Sequence, residues 1–116
     1  MRGASGPNAP LINGFYLLRE GSYNSFPVYQ KEDDPDKWLV VDKDECWAVK
    51  VARSKEANDG ACKCYLVGKR RLLPTMGDMW KVHDGSKHVD QPEVVASAQV
   101  SPPSVIHYPH LEIVVL

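Results

Sequence analysis

Residues 37 to 53 read KWLVVDKDECWAVKVAR, two runs of β-branched and aromatic side chains about a short polar link. In the second run Trp47, Val49 and Val51 take one side of a period-two pattern, while Cys46, Ala48, Lys50 and Ala52 take the other. Helical geometry would spread these sets around one axis, whereas a strand keeps them on opposite faces. Lys43-Asp44-Glu45 has the length of a hairpin loop, so two antiparallel strands are expected here, with the tryptophan side buried.

Similar alternation recurs along the first part of the chain, and predicts further strands at 14–20, 27–32, 62–68 and 79–85. GSYNSF supplies the turn after the first of these, since Gly21 and Asn24 tolerate positive φ. Pro27 can donate no ladder hydrogen bond and belongs at a strand start. SKEANDG at 54–60 reads as a loop with room for a helical turn that Asn-Asp-Gly would stop. Apolar residues at helical spacing are scarce. The expectation is therefore an all-β domain, a small antiparallel meander or sandwich of about six strands.

Residues 1–10 read as an N-terminal lead, 11–88 as the compact domain and 89–116 as an extended tail. The tail holds four of the nine prolines and no tryptophan. Pro102 and Pro103 forbid a continuous strand between EVVASAQV and LEIVVL, so each apolar end could add an edge strand to this domain or to a partner.

Lys and Arg number 14 against 15 Asp and Glu, which leaves no global positive field to draw nucleic acid or an anionic membrane. Locally, Lys69, Arg70 and Arg71 form the one basic run and read as a solvated turn, as does the acidic EDDPD at 32–36. No apolar run approaches the roughly 20 residues that span a bilayer, and MRGASGPNAP lacks the apolar stretch of a secretory signal. Three cysteines cannot all pair within one chain, which favours a reducing compartment. An intracellular, cytoplasmic protein is expected, with an organelle left open.

The blocks GASGPN, NGFY, YNSFPVY, DPDKWL, CWAV and MWKV occur in that order over about residues 3 to 83. In this the chain resembles a small Trp- and Tyr-rich β module widespread in proteins of algae and other protists. The resemblance implies a module appended to varied proteins and carrying no known active site. Its aromatic positions fall here on Tyr16, Tyr29, Trp38, Trp47 and Trp80, and its turn positions on Asn13-Gly14 and Asn24. Ser25 departs from the pattern, where a Gly more often follows the Asn, and the tail beyond His88 has no counterpart.

Chemistry is sparse. Cys62 and Cys64 alternate onto one strand face, and with Cys46 and His83 they are the weak candidates for a metal site, but the spacing matches no usual zinc knuckle. Free thiols are the expected state, with no metal and no cofactor. Nothing local sets a histidine against a cysteine, and no glycine motif matches a phosphate loop. In a domain with only two Phe, Trp38, Trp47 and Trp80 are expected to fill the core.

With no catalytic set, the chain reads as a non-enzymatic module that docks other proteins, an accessory or scaffold subunit of a larger assembly. Partner contacts are expected at a tyrosine edge, Tyr16, Tyr23 and Tyr29, and along the tail at Val105, Tyr108, Ile113, Val115 and Leu116, by strand addition. The alternatives are a small-ligand or glycan-binding domain using a Tyr/Trp edge, and a small metal-binding protein.

Overall fold

The computed structural model describes residues 1–99 and 110–113. A single turn of helix, α1 (Ala9–Ile12), leads into β1 (Gly14–Tyr23), β2 (Phe26–Lys31), β3 (Lys37–Val41) and β4 (Trp47–Val51). A short helix α2 (Ala52–Ala57) follows, then β5 (Cys64–Leu66), β6 (Trp80–His83), β7 (His88–Gln91), β8 (Ser97–Gln99) and β9 (His110–Ile113). The protein is all-β, its described strands forming one antiparallel sheet in the order β7-β6-β5-β4-β3-β2-β1-β9-β8.

From β1 to β7 the sheet is a meander in which each strand pairs with the next. The chain then crosses to the opposite edge between Gln91 and Ser97. Laid flat, those edges would lie about 38 Å apart at the usual strand spacing. The connection can reach at most about 21 Å, so the sheet has to curl. The N-terminal segment bridges the gap: Met1 exchanges backbone hydrogen bonds with Gly14 of β1, Arg2 forms an antiparallel bridge to Val95, and the Ser5 amide donates to Gln91 Oε1 at 2.8 Å.

Register puts one row of side chains across the concave face, Leu18, Tyr29, Leu39, Val49, Cys64, Val82 and Val89, each opposite the next. Trp47 and Trp80 lie on the same face and are buried. Trp47 meets Phe26 and Tyr29 with ring centroids 6.0 Å apart in each case, and its indole N–H donates to the Arg71 carbonyl at 2.7 Å. Met1, Ala4, Ile12 and Val94 close the core from the open side.

Three expectations are corrected. The lead at 1–10 is part of the core rather than an appendage, held by side-chain amides: Asn8 donates to the His83 carbonyl, and Asn13 both donates to and accepts from the Ala4 backbone. The compact domain does not stop at 88, because β7 extends the sheet to Gln91 and Val94 joins the core; of the two alternatives expected for the tail, β9 takes the one in cis, pairing with β1 and β8. Trp38 is not a core residue. It lies between Gln30 and Lys50 on the convex face, with the Lys55 ammonium 4.6 Å from its ring.

The tryptophan face of β4 is buried as expected, but so are Ala48 and Lys50 on the other face. α2 packs there on β3 and β4, and the Lys50 ammonium donates to the Asp59 carbonyl. Asn58 stops α2 in the left-handed conformation, φ 49°, a position that Asn accepts more readily than most residues.

Tyr23 and Phe26 flank a two-residue turn whose central residues, Asn24 and Ser25, have φ of 49° and 71°. Both angles positive is the geometry that suits a hairpin's twist and favours Asn-Gly. Ser25 thus carries backbone strain that glycine would not. Ser25→Gly is expected to stabilise the fold by a net of about 0.5–1 kcal/mol, and Ser25→Val to destabilise it. Thermal unfolding followed by circular dichroism checks both, and a lower midpoint for the glycine variant would refute the assignment of strain.

Candidate functional site

The expected tyrosine edge is not one surface. Tyr16 is fully buried, its hydroxyl donating to the Ile12 carbonyl at 2.5 Å, and burial pushes its phenol well above the ordinary range. Tyr29 is buried against Trp47. Tyr23 alone is half-exposed, with its hydroxyl 2.5 Å from the Lys55 carbonyl and 2.8 Å from Asn58 Oδ1. Both buried rings are drawn inward because β1 and β2 present them on the concave face. Of the tail positions, Ile113 pairs through β9 with Gly14 of β1, while Val105, Tyr108, Val115 and Leu116 lie outside the described residues.

Cys62 and Cys64 do not share a face. The Lys63 amide donates to the carbonyl of Val49, the residue that Cys64 already faces, so two residues stand against one and the alternation breaks. Cys64 points into the core, with its Sγ 3.9 Å from Met1 Sδ, whereas Cys62 turns to the convex side. Cys46 and His83 also lie away from Cys64, so the four weak metal candidates do not converge. Among the described residues no three His, Cys, Asp or Glu side chains could hold a metal ion together.

What the fold does bring together is Cys62 and His88, 26 residues apart, with Sγ 3.4 Å from Nε2. The same nitrogen lies 3.2 Å from the Cys62 carbonyl. A carbonyl can only accept, so this contact favours a protonated Nε2 with no lone pair for the thiol proton. Burial pushes the Cys62 thiol up to about 12, and burial likewise lowers His88. Together these make a neutral thiol beside a neutral imidazole, not an activated nucleophile. Edge-on contacts continue the row, Tyr65 at 5.2 Å and His83 at 5.0 Å from the His88 ring centroid.

The Cys62–His88 contact separates two hollows. A smaller one of about 270 Å³ has Asp42, Asp44, Cys46 and Tyr65 in its wall. The larger, about 640 Å³, opens between α2 and the β6–β7 hairpin, with Arg53, Lys63, Lys87 and His83 in its wall.

A different surface lies in the β5–β6 connection, which was expected only as a link. There Leu72, Leu73 and Met76 are 70%, 43% and 53% exposed, and Val67 is 40% exposed. The connection's base is fixed. Arg71 receives the Trp47 indole hydrogen bond, Arg70 donates its amide to the Glu45 carbonyl and pairs with the Glu45 carboxylate at 3.0 Å, and Pro74 is buried. Gly77 presses so closely on Leu66 that an added Cβ would meet its Cδ1 at 2.3 Å. The signal available in the sequence was RRLLPTM, three large apolar residues in a link with no strand partner.

No protein-family model, curated protein or solved structure matches this chain. No helix among the described residues is long and apolar enough to cross a membrane.

Burial raises the thiols of Cys62 and Cys64 in the folded state. A raised thiol contributes stability that is fully present below the unfolded value, about 8.5. That contribution is lost as pH rises from there toward the folded value, since the unfolded chain then binds fewer protons. Urea unfolding at pH 7 and pH 10 should therefore show a smaller alkaline loss for Cys62→Ser than for the wild type. Equal losses would contradict the assignment.

Proposed function

We propose that this protein is a non-catalytic module that docks a partner protein, as an accessory or scaffold subunit of a larger assembly. The single observation that carries the reading is the β5–β6 connection, an apolar tip of Leu72, Leu73 and Met76 on a base anchored to the core. Full burial of an exposed side chain of this kind is worth about 1.5–3 kcal/mol, of which Leu72 stands to gain the larger part and the half-exposed Leu73 and Met76 roughly half. A tip already held in place forfeits little conformational entropy on binding. Lys69 and Arg71 adjoin the tip in sequence, and both are exposed. The partner that fits is a protein surface with an apolar pocket rimmed by carboxylates.

The expected strand addition by the tail moves to second place, because β9 lies between β1 and β8 and its backbone edges are occupied.

Quantitative co-purification from the source cells, with the wild type and a Leu72→Asp/Met76→Asp variant of unchanged thermal stability, tests the proposal. The wild type is expected to retain a stoichiometric partner protein that the variant binds at least about tenfold more weakly. Equal retention by both proteins, or no stoichiometric partner for the wild type, would refute it.

A further inference from the structure

The larger hollow is unlike the rest of the surface in its charge. Arg53 comes from α2, Lys63 from the approach to β5, His83 from β6, Lys87 from the β6–β7 turn and His88 from β7, and no carboxylate stands in the wall they form. The whole chain has a net charge of −1, so the concentration of cations here does not follow from composition. Among the described residues Arg53, Lys63 and Lys87 form no ion pair, unlike Lys31, Lys37, Arg70 and Lys81. Arg19, Lys43, Lys55, Lys69 and Arg71 form none either, but only Arg53, Lys63 and Lys87 gather in one concave wall. Asp84, held ionised chiefly by the amides of Lys87 and Ser86, interacts electrostatically with His83 and Lys87, and Asp36 does so with Arg53, but neither carboxylate lines the hollow or forms an ion pair with these cations.

We propose that this hollow binds a small organic oxyanion, a phosphomonoester or polycarboxylate. Three unpaired cations brought from separate chain segments into one concavity raise the local potential where field lines are focused by the protein walls. The guanidinium of Arg53 offers two parallel donors to a phosphate or carboxylate, and the lysines add point charges. Ser54 and Ser86 contribute hydroxyls, while Val51 and Ala61 offer apolar wall to an organic body. A volume of about 640 Å³ accommodates a ligand the size of a sugar phosphate. His88 joins this wall to the Cys62 contact, so an occupant would touch the Cys62–His88 pair.

The site is separate from the docking tip and stands or falls independently of it. Backbone amide shifts of the full chain, followed during titration with pyrophosphate, glucose 6-phosphate and citrate in turn, test it. Saturable shifts confined to residues around Arg53, Lys63, His83 and Lys87, complete by about 10 mM, are expected for at least one probe. Arg53→Gln/Lys87→Gln should weaken that binding at least about tenfold, while Arg19→Gln/Lys43→Gln, which removes the same charge elsewhere, leaves it unchanged. Response to phosphates alone, or to citrate as well, fixes which oxyanion the site takes and supports it either way. No saturable shifts there with any probe, equal weakening in both variants, or a response only to single-stranded RNA or anionic vesicles would overturn the proposal.

Discussion

Five residues join β7 to β8, strands that end up at opposite edges of the same sheet. That shortness, set against the width of a flat sheet, forces the curl. Curling turns one row of side chains across seven strands into a core, and it brings β1, β7 and the β7–β8 connection close enough for residues 1 to 5 to contact all three. Burial of Met1, Ala4 and Val94 is a consequence of closing that gap. The amides of Asn8 and Asn13 then hold the segment in place without needing a strand ladder.

Concave packing also decides the chemistry of the opposite face. With Trp47, Val49 and Cys64 turned inward, Lys50, Tyr65, His83 and His88 must stand outward, and α2 with its following loop shelters part of that surface. Lys50 is buried there but satisfied by a carbonyl, as a buried ammonium has to be. The break of alternation at Lys63 then sends Cys62 outward to meet His88. The hollows beside that contact exist because a six-residue helix covers β3 and β4 but not the β5–β7 end.

Much of the architecture was legible in local pattern. The hairpin from Lys37 to Val51, the Asn24 turn, the stop at Asn58 and the strands about Tyr16, Tyr29, Cys64 and Trp80 follow from period two and turn chemistry. β7 escaped because HVDQ is short, polar at three of its four positions and nowhere fully buried. Trp38 was misassigned because alternation tells which residues share a face but not which face is inside. Here Trp38 shares its face with Lys50, under Lys55. The candidate site was the least legible part. Cys62 and His88 lie 26 positions apart, and the three cations without an ion pair come from α2, the approach to β5 and the β6–β7 turn, which no local window joins.

The sequence by itself determined that this chain makes antiparallel strands, where most of them turn, and that its aromatic residues largely serve packing. Those properties depend on side-chain stiffness, φ preferences and period, all of which act within a few residues. Only the tertiary structure decided that the N-terminal segment closes the core, that β9 returns to β1, that Cys62 and Cys64 part company, and that apolar and cationic groups gather at two separate surfaces. Those outcomes depend on the curvature of the whole sheet, a property no single segment possesses.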